Sequence, residues 1–162
     1  MDLSYLEGRP YDPGRQHCLT LVAEFYREVM GLNPRNYANP EGWPLQPDFD
    51  LIAEGLEAEG FELINGGLNS CRFGYLLALD IYHVGRINHL AVYVGQNKVL
   101  HQSRNRVSVI EEISPVMRRL VRGMYRPPNY EQWCESRSSL LLETLPLYQQ
   151  QRLVKAQEIS ND

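Results

Sequence analysis

The clearest alternation of apolar and polar positions lies in the first thirty residues. Leu21, Val22, Phe25, Tyr26 and Val29 recur at spacings of three and four, which predicts a helix from about Cys18 to Met30 with one broad apolar face. Gly31 follows as its C-cap. Residues 1–17 ahead of it are turn-rich, with Gly8, Pro10, Pro13 and Gly14 interrupting any regular structure. Residues 32–47 carry Pro34, Pro40, Gly42, Pro44 and Pro47 and read as a loop that also holds Tyr37 and Trp43. Asp48 is a good N-cap for a second helix, roughly 49–59, ended by Gly60 and burying Leu51, Ile52, Leu56 and Ala58.

Beyond Gly60 the period changes. Phe61 to Ile64 reads as a short extended piece, and Asn65-Gly66-Gly67 as a turn. Tyr75 to Tyr82 is a strongly apolar run, and Val84-Gly85-Arg86 turns into a strand over Ile87 to Gly95. Gly95-Gln96-Asn97 makes a tight turn into a strand over Asn97 to Gln102. Asn105-Arg106 then turns into Val107 to Ile110, and Leu120 to Arg126 is the last strand. Helices first and an antiparallel meander afterwards predict an α+β fold. Pro127-Pro128 ends this domain, 1–128. Residues 129–162 are helix-prone and polar, with Pro146 expected to break or kink the helix. That extension reads as an exposed terminal helix or as an arm that docks on a neighbouring subunit.

Composition narrows the function. At 162 residues the chain suits one domain with a real core, and 43% hydrophobic content fits a folded globule. No run approaches the ~20 apolar residues of a membrane helix. A formal net charge of −4 gives no support to nucleic-acid binding as the main task. Three cysteines at unrelated spacings, with no C-x-x-C pair, argue against a structural zinc site and fit a reducing compartment. Cys71 and Cys134 read as small apolar residues.

Cys18 differs from them. A Pro/Gly-rich loop delivers it onto the first turn of an apolar helix, where free N–H groups and the helix dipole are expected to favour the thiolate. A thiol nucleophile needs a base, and His89 at the start of one strand and His101 in the next supply candidates. A hairpin turning near Gln96-Asn97 sets residue 89 beside a residue near 104, or near 101–102 in a bulged register, and sequence does not fix which. His17, next to Cys18, points about 100° away from it along the helix, so it is a helper of the thiolate at most. His83 reads as a surface residue. Zinc held by Cys18, His89 and His101 is geometrically conceivable, but tetrahedral sites show at least one tighter ligand pair, so no metal and no cofactor are expected.

The loop ending in Cys18, the apolar helix, the strand His89-x-x-x-Tyr93-x-Gly95 and the following Leu100-His101 resemble the NlpC-type cysteine peptidases, papain-like peptidoglycan hydrolases. The likeness spans roughly residues 8–126 and leans toward the branch found in tail-tip proteins of long-tailed bacteriophages. It implies a papain-like α+β fold with Cys18 as nucleophile, His89 as base and His101 as the polar residue that orients His89. It also implies Tyr11 close to the active site, as a second oxyanion donor beside the Cys18 backbone N–H. Family members commonly have Asp before the Cys and Gly two residues after it, where this chain has His17 and Thr20. Phe73-Gly74-Tyr75 replaces the Gly-Asp that often opens the central sheet.

The resemblance implies hydrolysis of the peptide stems of peptidoglycan, with tail-tip or hub proteins as partners. The start Met-Asp-Leu-Ser-Tyr-Leu-Glu lacks the pattern of a secretory signal, which fits a protein assembled in the host cytoplasm and carried in the virion, or an intracellular wall-recycling enzyme. Two rivals remain open: a structural tail-tip component whose hydrolase site has decayed, and an acyltransferase or amidase acting on another substrate.

Overall fold

The computed structural model describes residues 1–35 and 51–144. The chain divides into two compact units, Met1–Pro128 and Asn129–Asp162.

In the first unit, helix α1 (Cys18–Met30) follows a turn-rich start that includes a 3-10 turn at Ser4–Leu6. Its buried side is Leu21, Val22, Ala23, Phe25, Tyr26 and Met30, the face that the sequence period marks. Gly31 ends it at φ 67°, a left-handed backbone that glycine adopts without a Cβ clash. Helix α2 (Leu51–Ala58) precedes Gly60, also left-handed at φ 77°. The expected N-cap Asp48 and the aromatic loop residues Tyr37 and Trp43 lie outside the described residues.

Six strands form one antiparallel sheet among the described residues: β1 (Glu62–Leu63), β2 (Leu76–Leu79), β3 (His89–Gly95), β4 (Lys98–His101), β5 (Val109–Glu112) and β6 (Val121–Arg126). Their order is β1-β6-β2-β3-β4-β5. The meander expected from sequence therefore holds from β2 to β5 and stops there. The last strand returns to the other side of β2, carried by a short helix α3 (Pro115–Leu120) that the sequence reading left unassigned. Its signal is local: Ser114 Oγ accepts the Met117 N–H and Pro115 opens the first turn. Strand β5 also begins two residues later than expected, because Ser108 is held by the N-terminal segment. Its N–H donates to Arg9 C=O (3.0 Å), its Oγ donates to Leu6 C=O (2.6 Å), and its C=O accepts the Gly8 N–H (2.8 Å). Glu7 takes the Ile110 N–H as well, so this segment covers part of an edge strand otherwise open to another chain.

All four residues of β2 are buried, as fits a strand covered on both faces. Helix α1 packs against β3 and β4. Tyr26 spans the core and donates its hydroxyl to Gly74 C=O (2.9 Å), while its ring meets Phe25 and Phe61 edge-on. Gly74, at φ 84°, donates to Tyr93 C=O (2.8 Å), so the Phe73-Gly74-Tyr75 segment leads into the central strand through a backbone conformation open to glycine.

The second unit is described as α4 (Tyr130–Thr144), with the Arg137 guanidinium 5.5 Å from the centre of the Trp133 ring. Ser136, Ser138 and Ser139 bond back to carbonyls of the preceding turn. Pro146 lies outside the described residues. The α+β fold, with N-terminal helices, a central antiparallel sheet and a C-terminal helix, is the one expected from sequence.

Candidate active site

Three strands lay their polar side chains along one diagonal. Ala91 pairs with His101 across β3 and β4, and His101 pairs with Val109 across β4 and β5. His89 stands two residues before Ala91 and Glu111 two residues after Val109. By the period of two, His89, His101 and Glu111 share a face, each one diagonal step from the next. The register shift at Tyr93–Gly95 sets position 103 opposite His89, between the two registers left open by sequence, so His89 reaches His101 diagonally rather than as its direct partner. His89 Nε2 lies 2.9 Å from His101 Nδ1, and His101 Nε2 lies 2.8 Å from Glu111 Oε1.

The entry to β3 is held as firmly as the strand. Asp80, fully buried at the end of β2, accepts hydrogen bonds from the N–H groups of Val84 (3.0 Å) and Gly85 (2.8 Å) and from the Asn88 amide (2.6 Å). Asn88 Oδ1 in turn accepts the Ile81 N–H (2.8 Å). Burial alone would raise the Asp80 pKa, but these donors, with Arg122 at 3.5 Å, outweigh it and hold the carboxyl below its usual range. The loop between β2 and β3 is thus closed on itself, and His89 emerges from it in a set direction.

Cys18 arrives from the other side. The Asp12–Gln16 loop closes by two reciprocal backbone hydrogen bonds of 2.8 Å, and Gln16 Nε2 donates to Oε1 of the buried Gln102 (3.0 Å), the residue after His101. Gln102 also donates to the carbonyls of Arg9 and Arg106. At the helix start, Thr20 Oγ1 accepts the His17 N–H (2.9 Å) and donates to His17 C=O (3.0 Å). Thr20 therefore closes the first turn of α1, a task a glycine at that position lacks the hydroxyl to perform.

The electrostatics correct one expectation. Cys18 is buried, and burial pushes its thiol up to about 11, although the backbone N–H groups of Leu90, Leu19 and Cys18 itself pull the other way. The helix N-terminus does not win, because desolvation of the thiolate is the larger effect. Burial, and then the neighbouring His101, push His89 down to about 3. His17 is likewise held below its ordinary value by burial, with Asp12 opposing, so a positive His17 assisting the thiolate is disfavoured. Its Nδ1 has no hydrogen-bond partner among the described residues. At rest the Cys18 thiol and the His89 imidazole are both neutral.

The structure thus brings His89 and His101 into direct contact, and the N–H of Leu90, the residue after His89, is among the backbone groups that favour the Cys18 thiolate. Tyr11 is half-buried and enters through Tyr82, whose phenol is raised first by burial; Arg104 opposes this, while Cys18 and Tyr11 add to it. Tyr82 was not singled out from the sequence, since it ends an apolar run and reads as core. Glu111 was missed because the expected strand stopped at Ile110, and Gln102 because nothing local marks a buried glutamine. His83 is exposed, as expected. Cys71 and Cys134 are free and half-buried. No cluster of three or more metal-ligating side chains forms among the described residues. An imidazole oriented by a second ring is equipped for the proton transfer that a thiol nucleophile requires.

The sequence matches no family model and no curated protein. Among solved structures, the chain is similar to a Staphylococcus aureus protein described as similar to a lipoprotein of the NLP/P60 family. The TM-score is 0.51 at 16% identity, over 76% of this chain and 38% of that one, so the chain spans about two fifths of that protein's length. The chain has the α+β fold of that NLP/P60 structure.

Proposed function

We propose that the chain is a cysteine peptidase that cleaves peptide stems of bacterial peptidoglycan. The observation that carries this reading is the 2.9 Å contact between His89 Nε2 and His101 Nδ1, with the N–H of the adjoining Leu90 acting on the Cys18 thiol. His89 takes the thiol proton as Cys18 Sγ attacks the amide carbonyl, and the Cys18 backbone N–H and Tyr11 stabilise the developing oxyanion. His89 then returns the proton to the leaving amine, and an acyl-enzyme remains on Sγ. Water attacks the thioester with its proton going to His89, which releases the carboxylate and regenerates the thiol. Because both partners are neutral at rest, the proton moves with the attack.

The peptidoglycan substrate rests on the sequence resemblance together with the shared fold. The placement in a phage tail tip, where local wall opening would let a genome pass, rests on the resemblance alone. There α4 and the chain after it would serve as the arm that docks on hub proteins. The competing reading is a structural tail-tip protein with a decayed site, and the depth of burial of Cys18 favours it. Digestion of purified peptidoglycan by the wild type and Cys18→Ala, with released peptides read by mass spectrometry, separates the two. Release that disappears in the variant is the expected result. No release by folded wild-type protein would leave the structural reading.

A further inference from the structure

We infer that Glu111 is a positioning residue that fixes, through His101, which nitrogen of His89 carries the proton. A carboxylate offers only acceptor sites, so the 2.8 Å contact at Glu111 Oε1 requires the proton on His101 Nε2. His101 is taken as neutral, with its one N–H at Nε2 and a lone pair on Nδ1; a doubly protonated His101 donating to His89 Nε2 would overturn the inference. The 2.9 Å contact between Nδ1 and His89 Nε2 then requires the hydrogen on His89 Nε2. His89 Nδ1 is thereby the basic nitrogen. Without Glu111, His101 can equally place its proton on Nδ1 and donate to His89 Nε2, which reverses the His89 tautomer and removes the base from Nδ1. The order of the line comes from strand register, with His101 bonded on both sides and nearly closed to solvent, while Glu111 stands half-exposed at its outer end.

The placement of the proton is a property of the folded chain. Its effect on turnover rests on the peptidase reading, and the two are tested apart. The full chain, labelled with nitrogen-15, is examined by two-bond proton–nitrogen correlation at neutral pH, with rings assigned through His17→Gln and His83→Gln. Wild-type His89 and His101 are expected in the Nε2–H form. Glu111→Gln preserves shape but offers a donor as well as an acceptor, and is expected to give mixed or reversed tautomers at both rings. Glu112→Gln, one residue along β5 and facing the opposite side, is expected to leave them unchanged. A His89 signal in the Nδ1–H form in the wild type, or one unaltered in Glu111→Gln, overturns the inference.

On peptidoglycan, Glu111→Gln is expected to lower kcat by ~10–100-fold with KM unchanged, the range known for outer partners that fix the tautomer of a metal-bound imidazole. A rise in KM at constant kcat would also overturn it. A wild type that shows the expected tautomers and hydrolyses nothing would defeat the peptidase reading while leaving the assignment of Glu111 in place.

Discussion

At the scale of single residues, the thiol and the imidazole are both kept neutral by removal from water. A free cysteine has its ordinary pKa near 9.0, and Cys18 is raised to about 11, so its thiolate fraction at neutral pH falls by roughly 100-fold. Since only the thiolate alkylates, iodoacetamide should modify Cys18 about 100-fold more slowly than a free thiol at pH 7, and faster with each rise in pH. Peptide mapping by mass spectrometry after timed alkylation checks this. A rate that is high and flat down to mildly acidic pH would mean a preformed thiolate–imidazolium pair and would contradict the neutral resting site. The residues of this pair were legible in the sequence because each sits at a punctuated place: Cys18 after a Pro/Gly loop, His89 and His101 on alternating strands around a tight turn. The polar groups around them were not. Glu111, Gln102 and Tyr82 acquire their meaning from strand register and loop closure, and neither is written in local composition.

At the scale of elements, the period of the apolar residues gave α1 to its ends and the β3–β4 hairpin almost to the residue. What it missed has two physical causes. Helix α3 is only six residues long, too short for a periodic signal, and is set by its Ser114 cap and Pro115. The return of β6 beside β2 is a tertiary choice among sheet edges. Two elements near the site carry testable weight. Thr20→Ala removes both hydrogen bonds that close the first turn of α1, and should cost about 1 kcal/mol in urea unfolding. Asp80→Ala takes the acceptor away from the Val84 and Gly85 N–H groups, which water can reach, and from the buried Asn88 amide, which it cannot, and should cost about 2 kcal/mol. It should also slow turnover, since that loop aims His89. An Asp80→Ala protein as stable as the wild type would mean that the loop is not organised by the carboxylate.

At the scale of the whole molecule, the same burial that quiets the site makes stability depend on pH from both sides. His89 has a folded value of about 3 against an ordinary 6.5, so at intermediate pH the unfolded chain binds a proton that the folded chain refuses. Its contribution is complete above pH 6.5 and is lost as pH falls toward 3, and His17 acts in the same direction. Asp80 enters later, because a depressed carboxyl loses its stabilisation only as pH drops from 3.8 through its lower folded value. Cys18 works at the other end. Its folded value of about 11 against 9.0 leaves its contribution whole below pH 9, to be lost as pH rises toward 11. Cys71, pushed up to about 12 by burial, adds to the same limb. The thermal midpoint should therefore be flat between about pH 6.5 and 9 and fall on either side. Differential scanning calorimetry across pH on the wild type, His89→Gln and Cys18→Ala assigns each limb. His89→Gln should flatten the acid slope between pH 6.5 and 4 whatever it does to the midpoint at neutrality, and Cys18→Ala should flatten the alkaline one. An acid slope identical in His89→Gln and the wild type would show that His89 protonates freely in the folded state, and with that the neutral, desolvated site would have to be given up.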